Sequence, residues 1–414
     1  MGRPGNHASS HMNASSTPPA GALAGLRVLD LTQSAEQYCG RLLAQLGADV
    51  TLVEPPRGAA SRHRGPYLNG TPAPDASLYF NYLNEGKRGV VVDLETPTGR
   101  QALHELAREA DVLIESCLPA KARRLGIDFE SLRATNPKLI VVSITPFGQD
   151  GPYADYVGDD LVAMALGGFL YLGGYADREP MGAPGDQALL AGAQFAAVAI
   201  AIAVWDAERD PAAATARHID VSVQEAIAMG LENAAQFAEL EDVVRRRQGG
   251  EQRVAGMGVF PCKDGEIYYM AGGIGGSRFW PDHTQWMIDE QVAGAQEFRD
   301  PQWTERDFLA TPQAKQRFED IFVAFTRQRT KAELYEEAQR RRLPLAPLNT
   351  AADVVSNPQL AYRGFFVDAS IPGRESPYRV PGAPFLMSET PCVSGRAAPA
   401  LASRTPPNEH ASQQ

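Results

Sequence analysis

Strand and helix patterns that alternate over residues 26–223 predict an α/β protein: a doubly wound, mostly parallel, Rossmann-like sheet in a large domain, then a smaller α+β domain. Three observations carry this. Short strand patterns rich in Val, Ile and Leu recur, at Leu26–Thr32, Ala48–Glu54, Asp111–Glu115 and Leu139–Ile144. Helical patterns separate them, which right-handed βαβ crossovers require. Beyond about residue 250 the pattern changes to a hairpin signal and then consecutive helices, the mark of a second core. At 414 residues the chain is long enough for both.

Residues 1–20 contain Gly5-Asn-His-Ala-Ser-Ser-His-Met12, read as a leader or tag and as disordered. The large domain is expected over 21–226. It opens with strand Leu26–Thr32, helix Cys39–Gly47 and strand Ala48–Glu54. Glu54 stands where a dehydrogenase keeps its ribose-binding acid, but the first turn, Thr32-Gln-Ser-Ala-Glu-Gln-Tyr-Cys-Gly40, lacks the GxGxxG fingerprint, so NAD is weakly supported. Residues 55–78 form a long loop carrying Arg57, Arg62 and Arg64. A turn with Lys87 and Arg88 precedes a β-rich run, followed by a helix over 97–110 and a strand over 111–115. A basic loop with Lys121, Arg123 and Arg124 leads to a strand over 139–144. Ligands of such sheets bind beyond the carboxyl ends of the strands, so Arg57, Lys87 and Arg124 are expected to form a cationic rim there.

The stretch Gly182-Ala-Pro-Gly-Asp186 stops a glycine-rich loop, and an alanine-rich run to Trp205 reads as one buried helix. Asp186 falls at its N-cap, where the carboxylate faces unpaired N–H groups and the positive end of the helix dipole favours its charge. Most aspartates at that position only cap. Small neighbours, Pro184 and Gly185, would also let a substrate approach. A strand from His218 and a helix over 224–240 follow. The small domain with its linkers is expected over 227–335, with a hairpin turning at Asp264-Gly265 and helices near 278–290, 314–327 and 331–342. Gly272-Gly-Ile-Gly-Gly276 lacks the P-loop Lys-Ser/Thr and reads as a connection. Residues 336–392 return to the large domain, and 393–414, dominated by Ala, Pro, Ser and Gln, are expected to be disordered.

Asp plus Glu, 50, exceed Lys plus Arg, 39, for a formal charge of −11, which argues against a nucleic-acid partner. Four scattered cysteines and seven histidines form no metal-ligand spacing, pointing to a reduced cytoplasmic setting without structural metal. Ala188–Trp205 falls just short of membrane length, and no membrane association is expected.

Taken together, the motifs resemble the class III CoA-transferase family, which includes formyl-CoA transferase, carnitine CoA-transferase and alpha-methylacyl-CoA racemase. The landmarks are Gly25-Leu-Arg-Val-Leu-Asp-Leu-Thr32, Leu46-Gly-Ala-Asp-Val-Thr-Leu-Val-Glu-Pro-Pro56, Asn84-Glu-Gly-Lys-Arg88, Asp111-Val-Leu-Ile-Glu-Ser116, Asn136-Pro-Lys-Leu-Ile140, Phe147-Gly-Gln-Asp-Gly-Pro152 and Gly185-Asp186. Later come Val259-Phe-Pro-Cys-Lys-Asp-Gly265, Leu343-Pro-Leu-Ala-Pro-Leu348 and Pro381-Gly-Ala-Pro-Phe385. The resemblance implies an intertwined homodimer acting on an acyl-CoA and a small carboxylic acid, with CoA as substrate and no permanently bound cofactor. It implies that Asp186 is the catalytic nucleophile, passing through a mixed anhydride and an aspartyl-CoA thioester. For CoA it implies Ser34, Ala35, Arg57, Asn84, Lys87, Ser116, Cys117 and Arg124. Two departures stand out. Glu36-Gln37-Tyr38 replaces the usual Ala-Gly-Pro, and the small-domain glycine loop is reduced to Gly249-Gly250 and Gly256-Met-Gly258. The racemase places read Gly158-Asp159-Asp160 and Phe260-Pro261-Cys262, lacking two of three proton-moving groups. An epimerase or isomerase, or a degenerate CoA-binding member, therefore stands as the alternative.

Overall fold

The computed structural model describes residues 21–231, 234–272, 278–371 and 374–401. The leader, Gly273–Gly276 of the glycine cluster and the last thirteen residues lie outside them. The described residues form two compact units, the first running through Ala163, then over Gly185–Met229, and resuming at Gly364.

The first unit is built on six strands: β1 (Arg27–Asp30), β2 (Asp49–Glu54), β3 (Arg88–Val91), β4 (Val112–Glu115), β5 (Ile140–Thr145) and β6 (Arg217–Ser222). Their order is β3-β2-β1-β4-β5-β6 and every pairing is parallel, the expected doubly wound sheet. Val28 sits opposite both Val50 and Val112, so the centre of the sheet is aliphatic. The strand order reverses between β1 and β4, which opens a crevice beyond their carboxyl ends.

Helices α1 (Tyr38–Gln45), α2 (Leu78–Leu83), α3 (Pro97–Glu109), α4 (Pro119–Leu125) and α5 (Phe129–Thr135) connect the strands. Local chemistry sets their ends. Thr96 caps α3 just before Pro97, and Asp128 caps α5. Gly126 ends α4 at φ 68°, a conformation that favours glycine. Leu103, Ala107, Leu125 and Leu132 from α3–α5 close over Leu113 and Val141 of the sheet. Each such leucine contributes roughly 2 kcal/mol by leaving water.

The long helix, Gln187–Arg209, differs from expectation. It buries one side only: Ala188, Gly192, Ala193, Ala196, Ile200 and Ala203 pack inward, with β5, β6 and α1 among the elements they meet. Small residues allow a close approach, since a Cβ at Gly192 would stand 3.1 Å from Val223 Cγ2. Phe195, Val198, Ile202 and Trp205 lie exposed on the other side, at spacings of three and four residues. By length and composition alone the helix could cross a membrane, yet its inward side belongs to a protein core. The helix expected over 224–240 is two, Val223–Ala228 and Ala234–Glu241.

The tail corrects the expectation of disorder from residue 393. Val393 N donates to Gln45 O at 2.8 Å, Gly86 N to Ala397 O at 3.2 Å, and Leu401 N to Asp75 Oδ1 at 2.9 Å. Ala398 is buried with Leu52, Ala59 and Phe80. Composition misled here because main-chain bonds and one buried methyl anchor the segment. Strands β10 (Phe366–Ala369) and β11 (Tyr378–Pro381) pair antiparallel just before it.

The second unit holds Met164–Pro184 and Gly230–Arg363, an extent different from the expected 227–335. Its antiparallel sheet joins β7 (Met257–Cys262), β8 (Gly265–Met270) and β9 (Leu345–Pro347). The three residues of β9, too few to signal a strand from sequence, carry this sheet beyond residue 335. Helices Trp280–Asp289, Pro312–Thr326 and Lys331–Arg340 cover an aromatic core that includes Phe260, Tyr269, Trp286, Phe318 and Phe322.

Candidate active site

At the carboxyl end of β1 the chain leaves the sheet through Asp30, which is fully buried. Its Oδ1 accepts from Thr32 N at 3.0 Å and Thr32 Oγ1 at 2.6 Å, and its Oδ2 from Lys87 Nζ at 2.7 Å. Lys87 Nζ also donates to Gln37 O at 2.7 Å and Asn84 Oδ1 at 2.8 Å. Asn84 in turn donates to Gln37 Oε1 at 2.8 Å. Gly40 makes room, because a Cβ there would collide with Asp30 Oδ2. An ammonium has three donors, and all three are engaged inside the protein. Lys87 and Asn84, expected at CoA, frame the loop here: the side-chain donors of both are engaged by described residues, Asn84 Nδ2 also donating to Phe80 O at 3.1 Å. Burial also lowers the Lys87 pKa, and Asp30 opposes the shift.

The same crevice receives Asp186 from the head of the long helix. Gly185, at φ 81°, turns the chain into it. The expected cap bond is not made by Asp186. Asp160 Oδ1 accepts from Ala188 N at 2.8 Å and Leu189 N at 3.1 Å, so another carboxylate satisfies the helix end. Asp186 is instead held by side chains. Arg64 Nη1 and Tyr79 OH both donate to its Oδ2 at 2.5 Å, and among the described residues no hydrogen bond falls on Oδ1. Its residual exposure is 9 %, against 47 % for the Arg64 side chain. Arg64 lies over the Tyr79 ring, 4.4 Å from its centroid. Burial first, then the bond to Asp186, moves the Tyr79 hydroxyl well above its ordinary range, keeping it a donor.

Glu36 completes the cluster. Its Oε2 is shut off from solvent, with no hydrogen-bond partner among the described residues. Burial, reinforced by Asp30 and Asp186, pushes its pKa up to about 7. Across the crevice, at the end of β4, Cys117 N donates to Glu115 Oε2 at 2.6 Å. Burial raises Glu115 to about 7, and burial with Glu115 raises Cys117 to about 11. A thiol so shifted is a poor nucleophile.

Of the residues expected from sequence, Ser34 and Ala35 fall on the β1 loop and Ser116 and Cys117 just after β4, flanking the point where strand order reverses. Ala35 is fully buried, while the others are partly open. Arg57 is exposed in the loop after β2, and Arg124, on α4, is exposed with both Nη atoms on Glu95 at 2.6 and 3.1 Å. Glu54 is not a ribose ligand here: buried Arg62 occupies it at 2.6 and 2.7 Å. Arg64, Tyr79, Glu36 and Asp160 are not among the site residues expected from the sequence. Three of them leave a trace there: Arg64 in the long loop over 55–78, Glu36 as a departure from the usual Ala-Gly-Pro, and Asp160 in Gly158-Asp159-Asp160. Among the described residues no group of three metal-binding side chains occurs.

The strand order is that of a doubly wound α/β fold without the dinucleotide glycine fingerprint, and an aspartate turned in by Gly185 lies where that order reverses. The chain belongs to CoA-transferase family III, which it matches over residues 23–405. It is 38% identical over 379 residues to succinyl-CoA:(R)-benzylsuccinate CoA-transferase subunit BbsE of Thauera aromatica, covering 92% of this chain and 91% of that one. It is 31% identical to succinate–glutarate CoA-transferase of Agrobacterium fabrum, covering 92% of each. Among solved structures, a CAIB/BAIF family protein from Brucella suis superposes with a TM-score of 0.78 at 28% identity, over 92% of this chain and 96% of that one.

Proposed function

We propose that the protein moves CoA between an acyl-CoA and a carboxylic acid by covalent catalysis at Asp186. The observation that carries this reading is the asymmetry of the carboxylate: Oδ2 is bound by Arg64 and Tyr79, while among the described residues no hydrogen bond falls on Oδ1. Oδ1 attacks the thioester carbonyl, the C–S bond breaks, and CoA leaves as thiolate with the electron pair. The thiolate attacks the Asp186 carbonyl of the mixed anhydride, releasing the first acid and leaving an aspartyl thioester. An acceptor carboxylate then repeats the two steps in reverse and restores Asp186. Splitting the exchange this way is ordinary nucleophilic catalysis. In this reading Ser34, Ser116 and Cys117, with Ala35 buried behind Ser34, are assigned to the thiol arm, and the exposed Arg57 and Arg124 to the nucleotide phosphates.

The working unit in this reading is a homodimer. The exposed Phe195, Val198, Ile202 and Trp205 stripe supports it, since four large apolar side chains on one helix side favour a protein partner over water. The relative from Thauera aromatica is named a subunit, so a second, different chain is the competing outcome in a sedimentation experiment. Four free cysteines support a reduced, cytoplasmic setting.

The test is chemical trapping. Incubation with acyl-CoA and hydroxylamine should label the peptide that carries Asp186, and Asp186→Asn should abolish both label and transfer. Transfer with no label on that peptide rules this mechanism out. Deuterium uptake at the substrate α-carbon without any acceptor acid would point to an epimerase instead. CoA binding that Asp186→Asn leaves intact, with no turnover by the wild type, would point to a degenerate binder.

A further inference from the structure

We infer that Glu36 is a second catalytic residue of the transfer: it gives a proton to the CoA sulfur as the thioester breaks, and takes that proton back before the sulfur attacks the anhydride. The inference rests on Asp186 acting as the covalent nucleophile.

Position comes first. Glu36 stands in the single turn Ala35–Gln37 that follows β1. Its neighbours fix it: Ala35 and Gln37 are fully buried, and the long helix packs against the turn. Gln37 is tied on several sides. Its Nε2 donates to Thr32 O at 3.0 Å, and its Oε1 accepts from Ser61 Oγ at 2.6 Å and Asn84 Nδ2 at 2.8 Å. Glu36 is electrostatically coupled both to Asp186 and to Cys117, so it stands near the nucleophile and near the residues assigned to the thiol arm. Its Oε2 has no hydrogen-bond partner among the described residues, and the residue as a whole stays partly open.

Charge gives the proton its direction. Asp30 and Asp186 face Glu36, while Lys87 is spent on Asp30, and Arg64 and the Tyr79 hydroxyl on Asp186. Burial, reinforced by the two aspartates, keeps Glu36 protonated up to about 7, where a general acid is effective at neutral pH. Acylation of Asp186 removes one of those negative charges, so Glu36 becomes a stronger acid as the sulfur departs. The sulfur needs that proton. Burial, then Glu115, pushes the neighbouring Cys117 thiol up to about 11, so a thiolate is poorly held in this crevice. The C–S bond breaks with its pair on sulfur, the Glu36 O–H bond breaks with its pair on oxygen, and an S–H bond forms. The Glu36 carboxylate then removes the proton as sulfur attacks the Asp186 carbonyl, and the first acid leaves as its carboxylate. The alanine usual at this place in the family has no proton to give.

The experiment follows exchange of radiolabelled succinate into succinyl-CoA by the full-length protein between pH 6 and pH 8.5. Wild-type kcat/KM should fall about tenfold per pH unit above about 7, and Glu36→Gln should be slower by roughly 100-fold at pH 6 with that fall abolished. Glu36→Asp, which keeps an acid on a shorter arm, should regain part of the rate together with the fall. Glu115, also raised to about 7, stays in every variant. A fall that persists in Glu36→Gln therefore overturns the inference, and so does a Glu36→Gln rate within about threefold of the wild type at pH 6. Asp186→Asn is run alongside: exchange surviving it defeats the nucleophile reading and this inference together, whereas its loss with Glu36→Gln unchanged defeats Glu36 alone.

Discussion

Replacing Glu36 by glutamine should make the protein more stable at alkaline pH than the wild type, by an amount that the site's own geometry sets. Glu36 has one oxygen sealed from solvent with no hydrogen-bond partner among the described residues, and its carboxyl group is raised from 4.5 to about 7. The charges that face it are Asp30 from β1 and Asp186 from the head of the long helix, both acidic. Lys87 already pairs with Asp30, and Arg64 with Asp186. A shift of roughly 2.5 units at 1.36 kcal/mol per unit is on the order of 3 kcal/mol. The sign follows from proton counting. Between about pH 4.5 and 7 the folded protein holds a proton that the unfolded chain has lost, so stability falls as pH rises through that window. Glutamine cannot ionise and escapes the fall. Urea unfolding of both proteins at pH 5 and pH 8.5 should therefore show a small gap at the lower pH that widens in favour of Glu36→Gln by up to about 3 kcal/mol. Glu115, also raised to about 7, is common to both proteins and cancels. A gap that stays constant across pH refutes the reasoning.

The remaining predictions concern the frame and rim of the site. Lys87→Met should lower stability by about 3–5 kcal/mol in the same urea assay, because it strands the buried Asp30 carboxylate; a loss under about 1 kcal/mol would mean that water reaches Asp30. Asp160→Ala should cost about 1–2 kcal/mol by orphaning the Ala188 and Leu189 N–H groups, read as a lowered Tm. Arg124→Ala removes an exposed pair with Glu95 and should leave stability almost unchanged, while weakening CoA binding most at low salt. Calorimetry showing unchanged CoA affinity at low salt would remove Arg124 from the phosphate site.

The sheet was legible because β4 and β5 are buried throughout and read as unbroken aliphatic runs, the form a parallel interior imposes. Asp186 was legible as a helix start because Gly185 and the alanine run mark it locally. What holds Asp186 was not, since Arg64 and Tyr79 reach it across more than a hundred residues of chain, and no local spacing encodes that contact. Lys87 is expected at the phosphates because its Asn84-Glu-Gly-Lys87 turn resembles the family's, and nothing in a turn's sequence signals burial. Its burial depends on Gly40 and Asp30, which only the fold brings to it. The long helix was expected to be buried all round because mean apolarity cannot distinguish a core from a surface waiting for a partner.

The stretch from Val393 to Leu401 has a consequence for how the molecule is made. Its bonds run to Gln45, Asp75 and Gly86; Arg62 donates to Pro399 O, and Arg396, within the stretch, donates to Ala44 O. These partners lie more than three hundred residues apart along the chain. Until the later segment has been made, the apolar patch of Leu52, Ala59 and Phe80 lacks the cover of Ala398. A chain synthesised in order must therefore hold that patch open while the intervening residues emerge.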